Sequence, residues 1–367
     1  MTPTLQLRIE ATDGTARAGV VTTARGSFRT PCFMPVGTRG AVRALSPADL
    51  EDLGAEVILA NTYHLMLRPG AGVVDELGGM HGFASWPRHV LTDSGGYQVF
   101  SLAPKVDDDG VTFRSTYDGS THRLTPEGAV AVQALLGADI AMVLDVCPAL
   151  PSPAHVLRSA VDRTAAWAAR CRAAHRLEDQ ALFGIVQGGL DAELRAESAA
   201  RTVEVGFDGY AVGGLSVGES RPEMLGALAV ALAGLPAGAP RYLMGVGDPV
   251  GLVEAIALGV DMFDCVLPTR LARHGTVLTS AGRLQLRNAA YGRDAGPLDA
   301  RCPCPVCGRW SRAYLRHLLR MADPGAARLL TLHNLAWILA LVARARSAVV
   351  AGTLTELRTE IGAVHGP

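Results

Sequence analysis

Residues 242–264 read YLMGVGDPVGLVEAIALGVDMFD. The segment opens on one apolar run, Tyr242 to Val246, and closes on another, Val260 to Asp264. Between them Asp248 offers a side-chain oxygen to the start of a helix and Pro249 fits its first turn, so Pro249 to Leu258 is predicted helical. Two short strands joined by a helix make a βα repeat, and the pattern recurs toward the amino terminus. Further apolar runs lie at Cys32 to Gly37, Val57 to Asn61, His89 to Asp93, Ile140 to Asp145, Leu182 to Gln187 and Gly209 to Gly213, eight runs in all. Helical patterns at Ser46 to Leu53, Pro126 to Leu136, Ala154 to Arg176, Ala192 to Val205 and Pro222 to Leu235 fall between them. Eight such units in about 265 residues predict the α/β class and a (β/α)8 TIM barrel, with Val111 to Leu124 a hairpin inserted after the third strand. A doubly wound sheet is the alternative. The expected division is a barrel with amino-terminal β elements over residues 1–290, a metal-binding subdomain over 291–335, and a helical segment packing on the barrel over 336–367.

Bulk properties agree with one sizeable core, since 49% of the 367 residues are hydrophobic and 19% charged. Residues 1–25 hold no signal-like apolar run, and no stretch reaches the ~18 uncharged apolar residues of a membrane span, so a cytoplasmic protein with no membrane partner is expected. Three of the seven cysteines, Cys302, Cys304 and Cys307, stand within six residues. That spacing suits a metal ion better than a disulfide framework, with a later histidine, His317 or His333, as a fourth ligand. Charge is also uneven. The net −1 hides a +8 segment, residues 265–320, where ten arginines face only Asp294 and Asp299. Arg312, Arg316 and Arg320 recur at helical spacing and form a basic stripe, read either as a phosphate-binding surface or as a solvated face.

Barrels of this kind build their sites at the carboxyl ends of the strands. Here those ends are Asn61, Asp93, Asp145, Gln187, Gly213–Gly214 and Asp264. One aspartate alone reads as a cap or a satisfied buried group, but three carboxylates on one rim fit glycosidic-bond chemistry, one acid attacking an anomeric carbon and another moving a proton. A metal-dependent hydrolase is the competing reading. The glycines of Asp93-Ser94-Gly95-Gly96-Tyr97-Gln98 and Gln187-Gly188-Gly189 permit close approach of a flat ligand, and Tyr97 offers a stacking face.

The chain resembles the bacterial-type tRNA-guanine transglycosylases (queuine tRNA-ribosyltransferases) along nearly its whole length. The likeness rests on Asn61-Thr62-Tyr63-His64-Leu65, Thr92 to Gln98, Gln187-Gly188-Gly189, Gly213 to Glu219, Tyr242 to Gly247, Asp261 to Cys265, Pro268-Thr269-Arg270 and the cysteine motif. The resemblance implies a (β/α)8 barrel with a structural Zn2+ held by Cys302, Cys304, Cys307 and His333. It implies exchange of guanine at the wobble position, 34, of GUN-anticodon tRNAs for the 7-deazaguanine preQ1, a step of queuosine biosynthesis. Asp264 would be the nucleophile forming a covalent ribosyl intermediate, and Asp93 the general acid and base. Asp145, with Gln187, Gly214, Ser94, Tyr97 and Met244, would bind the base; Leu215, Val217, Glu219 and Cys147 would read its 7-substituent. Thr269, Arg270, Arg273, Arg312, Arg316 and Arg320 would contact the tRNA anticodon loop, and a homodimer is implied. Two places depart from the family: Val146 replaces a usual glutamate beside Asp145, which bears on base selectivity, and the segment Asn288-Ala289-Ala290-Tyr291 has Ala where lysine is common. The alternative function, a non-catalytic zinc-containing tRNA-binding subunit of a heteromeric transglycosylase, predicts loss of a catalytic acid. Asp93 and Asp264 are both present.

Overall fold

The computed structural model describes residues 4–102 and 104–366. All eight expected strands form, and they pair in parallel around a barrel with helices outside. The strands are Cys32–Met34 with Val36–Gly37, Val57–Ala60, His89–Thr92, Ile140–Met142, Ala181–Val186, Gly209–Val212, Arg241–Leu243 and Met262–Asp264. The sheet counts nine segments because the first strand is divided at Pro35, which has no N–H to give to the ladder. Its two halves are the two ends of the sheet: Cys32 pairs with Met262 on one side and Val36 with Leu59 on the other. The barrel therefore closes through that one strand, which rules out the doubly wound sheet.

The helices start where the sequence provides caps. Ser46, Thr125, Asp191 and Asp248 each accept a hydrogen bond from a first-turn N–H, and Pro47, Pro126 and Pro249 occupy first-turn positions that need no donor. The insertion after the third strand is larger than a hairpin, with strands Lys105–Asp107, Gly110–Arg114 and Thr121–Leu124 forming an antiparallel sheet.

An antiparallel amino-terminal sheet, Leu5–Asp13, Ala16–Thr23 and Gly26–Thr30, meets the barrel at the amino ends of its strands. Its anchor is Arg17, whose Nε and Nη2 reach the two carboxylate oxygens of Asp261 at 2.9 and 2.5 Å, both side chains being buried. Asp261 also accepts from Arg241 N at 2.7 Å, and Arg17 donates to the carbonyls of Ala237 and Ala239. The pair is thus fully hydrogen-bonded, the condition under which two buried charges hold together. At the carboxyl end of the chain, helix Pro324–Ala351 is long and apolar enough to cross a membrane by length and composition alone, but Leu330, Leu335, Ile338, Leu341 and Val349 are buried as in a core helix. Its Asn334 donates to the carbonyls of Pro268 and Thr276 and accepts from Leu278 N, tying the hairpin Thr276–Thr279 and Gly282–Gln285 to the barrel.

Asp261→Asn leaves Arg17 as an uncompensated buried charge and is expected to lower the unfolding free energy by about 3–5 kcal/mol, read from the shift of the denaturant midpoint. A loss below about 1 kcal/mol would show that the pair does not anchor the sheet.

Candidate active site and metal centre

The barrel brings the three aspartates to one cleft of about 440 Å³ at the carboxyl ends of the strands. Asp93 follows strand His89–Thr92 and is buried. Its Oδ1 accepts from Thr62 N at 2.8 Å and Gly95 N at 3.2 Å; its Oδ2 accepts from Asn61 Nδ2 at 2.5 Å and Gln98 Nε2 at 3.1 Å. Four donors fill the four lone-pair directions of the carboxylate. Burial nonetheless raises its pKa, against the pull of those donors.

Asp145 is also buried, and Gln187 Nε2 donates to its Oδ2 at 2.6 Å. Burial, with the Asp93 charge adding to it, pushes Asp145 up to about 6. Asp264, at the end of strand Met262–Asp264, is less covered and faces the cleft. Its Oδ1 takes both Tyr242 Oη–H at 2.6 Å and Gly245 N–H at 2.8 Å, while Oδ2 carries no hydrogen bond among the described residues. Burial raises this acid too. One oxygen is fixed and the other is open, as a carboxylate nucleophile requires.

Two more acceptors point to the ligand's chemistry. Gln98 Oε1 and Gln187 Oε1 are buried without a hydrogen-bond partner. A cleft whose open groups are carboxylate and amide oxygens suits a ligand that brings N–H donors. The cleft also gathers Ser94, Tyr97, Cys147, Gly214, Leu215, Val217, Met244 and Arg270. Tyr97 is 63% exposed at the mouth, so its ring face is available, whereas Ser94 is buried with its Oγ accepting from Gly96 N. Burial drives the Cys147 thiol up to about 12 and keeps it protonated. Glu219 does not line the cleft; its carboxylate accepts from Ser216 N and Val217 N and holds the turn that does.

The expected RNA-contacting residues do not all reach the same surface. Arg270 is exposed beside the cleft, and Arg43 and Arg270 bear on Arg273 through their charge. Thr269 is buried and donates its hydroxyl back to Val266 O at 2.9 Å, within its own helix. On helix Arg312–Arg320, Arg312 binds Asp294 at 2.9 Å and Leu298 O at 3.1 Å, and Arg316 donates to Asn288 O at 2.8 Å. Only Arg320 of the three stripe residues makes no such bond among the described residues. Sequence reading missed Arg39 and Arg68, which flank the Tyr117 ring at 5.4 and 4.9 Å, because they lie far apart in the chain. It also missed Tyr242, whose position inside an apolar run gives the signal of a core residue.

Cys302, Cys304, Cys307 and His333 present ligand atoms all within 4.8 Å of one another. His333, fully buried, directs Nδ1 at Cys304 Sγ (3.5 Å) and Cys307 Sγ (3.3 Å), while Nε2 lies 2.7 Å from Leu278 O. A proton on Nε2 donated to that carbonyl leaves Nδ1 as a free ligand, the arrangement in which a metal-bound histidine is fixed from behind. These residues fit one metal ion with a closed four-ligand shell, and they exclude His317 from it. A separate apolar cluster including Val277, Leu286, Leu298, Val306, Leu315 and Leu330 packs around them.

A family model described as queuine tRNA-ribosyltransferase matches residues 12–367. A queuine tRNA-ribosyltransferase of Halothermothrix orenii is 51% identical over 347 residues, covering 94% of this chain and 93% of its own. That of Syntrophobacter fumaroxidans is 52% identical over 358 residues, with 96% of each chain covered. That of Sphingopyxis alaskensis is 50% identical over 370 residues, with 99% of each covered. With its closed barrel, its rim of aspartates and its Cys3His cluster, the chain belongs to the queuine tRNA-ribosyltransferase family of pentosyltransferase enzymes.

Proposed function

We propose that this enzyme exchanges guanine at wobble position 34 of GUN-anticodon tRNAs for preQ1 through a covalent bond between Asp264 and the ribose. The observation that carries the reading is the division of labour among the three acids, one with an open oxygen, one wrapped by four donors and one beside a glutamine. Asp264 Oδ2 attacks C1′ while the C1′–N9 bond breaks with its electron pair going to guanine, and Asp93 supplies a proton to the leaving purine. The incoming base then loses a proton to Asp93 and attacks C1′, and the bond to Asp264 breaks. Two inversions give retention. Because its donors already fill Asp93, protonation requires one N–H to withdraw; Gln98, at 3.1 Å with its Oε1 unpartnered, can turn over and accept the new O–H instead.

Asp145 recognises guanine-like bases by accepting from N1–H and the 2-amino group. Adenine lacks both donors and leaves a buried charge unpaired. Gln187 and Gly214 meet the purine oxygen, and Tyr97 and Met244 cover the two ring faces. Leu215, Val217 and Cys147 bound the 7-substituent, with Glu219 holding their turn. Val146, where a glutamate is usual, places an apolar side chain beside the recognition acid. Arg270, Arg273 and Arg320 attract the RNA phosphates, and Arg312 and Arg316 shape the surface that presents them. The metal is Zn2+, which three thiolates and an imidazole favour; its closed shell makes it structural, and a homodimer built near it fits the same reading.

Labelled guanine is expected to enter a stem-loop carrying G34, and the Asp264→Asn variant to lose at least about four orders of magnitude in that exchange, as removal of a nucleophile does. Wild-type exchange by that variant would contradict the assignment. Asp145 gives a pH test. Its folded pKa, about 6, lies above the ordinary 3.8, so the folded state binds more protons between these values and stability falls as pH rises through that window. Asp145→Asn is therefore expected to stabilise the free enzyme by about 2–3 kcal/mol at pH 7 and hardly at all at pH 4, measured by denaturation, since Gln187 can turn to pair with the new amide. Guanine binding should weaken as pH falls below about 6 in the wild type. An unchanged denaturation profile at pH 7 would remove the charge from the account. For the metal, elemental analysis is expected to find one zinc per chain, and Cys304→Ser or His333→Ala to release it and lower the melting temperature; full retention of zinc in both variants would refute the ligand set.

A further inference from the structure

Arg195 is fully buried, yet among the described residues no carboxylate is its hydrogen-bond partner. It lies in the first turns of helix Ala192–Val205, behind the turn that follows Gln187. Its guanidinium donates to four main-chain carbonyls instead: Nε to Gly189 at 2.8 Å, Nη1 to Val186 at 3.1 Å and Gly213 at 2.8 Å, and Nη2 to Gly214 at 3.1 Å. Burial pulls its pKa down to about 10, which leaves it charged at neutral pH. A buried cation without a counter-ion is costly, and Arg195 is held by carbonyl oxygens whose direction it fixes in turn.

Those carbonyls belong to two neighbouring strand ends. Both turn through positive φ, at Gly188 (134°), Gly189 (59°) and Gly214 (65°), a conformation that other residues rarely adopt. In a trans peptide the N–H points opposite to the C=O. With the Gly213 carbonyl drawn back onto Arg195, the N–H of Gly214 in the same peptide plane faces forward, toward the Cys147 sulfur in the cleft. A charged donor on a carbonyl also polarises its peptide and makes that N–H a stronger donor. Gln187 packs on the same backbone: a Cβ on Gly214 would fall 2.3 Å from Gln187 Oε1.

We propose that Arg195 is a positioning residue for the base pocket, clamping the two glycine turns and polarising the Gly213–Gly214 peptide so that the Gly214 N–H meets an oxygen of the bound base. This rests on the base-exchange reading above. Arg195→Met removes charge and clamp; Arg195→Lys keeps the charge but cannot span four carbonyls. The test compares guanine, as substrate, with 2-aminopurine, as inhibitor of exchange; 2-aminopurine lacks the exocyclic O6 and, with it, the N1–H that faces Asp145, so each base is compared with itself between wild type and variant. In Arg195→Met the KM for guanine is expected to rise about tenfold, with kcat within about threefold and the KM for the stem-loop unchanged, while the 2-aminopurine inhibition constant moves less than about twofold. Arg195→Lys should fall between. Equal losses for both bases, or a guanine KM within about twofold of wild type, overturn the proposal. Should neither variant fold, wild-type enzyme with isotope-labelled arginine supplies the readout: a clamped guanidinium gives separate, slowly exchanging Nη–H signals, and their absence from Arg195, assigned through its own side-chain connectivity apart from buried Arg17, overturns the clamp. That signal does not depend on activity, so a wild-type enzyme that exchanged no guanine would sink the base-exchange reading while leaving the clamp tested on its own.

Discussion

Three carboxylates share one cleft, and among the described residues no cation is a hydrogen-bond partner of any of them. Their charges are held by neutral donors: amide side chains, a phenol and backbone N–H groups. A neutral donor stabilises an anion without neutralising it, so it offsets only part of the pull of burial toward the protonated form. Raised pKa values on all three are the direct consequence. An arginine hydrogen-bonded to these acids would have held them as anions; Arg270 lines the same cleft but is not among their hydrogen-bond partners. The buried cation behind the cleft, Arg195, is turned onto carbonyls instead.

That arrangement depends on the barrel being closed and correctly registered. The parallel ladder sets Asp264 opposite Met34 and Thr92 opposite Ala60, which brings the residues just past those positions to one rim. At the other end, Arg17 and Asp261 hold the amino-terminal sheet against the strand that carries Asp264. The metal cluster joins through His333 and Asn334, neighbours on one helix whose side chains bind the same hairpin strand at Leu278. Metal and barrel are thus coupled by adjacent residues, although the metal ligands lie outside the cleft.

Much of this was legible in the sequence because it is local. Apolar runs, capping residues and the Cys-x-Cys spacing each occupy a few consecutive positions, and they located the eight barrel strands, the longer helices between them and the three clustered cysteines, whereas His333 rested on the family resemblance. Strand ends were read too long: Ile140 to Asp145 and Tyr242 to Val246 were expected, whereas the ladder ends at Met142 and Leu243. The chain turns out of the sheet there, at Gly245 through a φ of 77°, so that its polar groups face the cleft. Residues whose role depends on distant partners stayed hidden. Arg17 and Arg195 are buried, yet nothing near them in the sequence announces it, arginine being an exposed residue as a rule. The spacing of Arg312, Arg316 and Arg320 was visible, but not that Asp294 and the carbonyls of Leu298 and Asn288 engage the first two.

The central claim is that the open oxygen of Asp264 bonds to the ribose. Enzyme mixed with the G34 stem-loop in the absence of an incoming base can be denatured, digested and sequenced by mass spectrometry. The account predicts a ribosyl–RNA ester on the peptide carrying Asp264. An adduct on Asp93 or Asp145, or no adduct from enzyme that exchanges guanine, would contradict it.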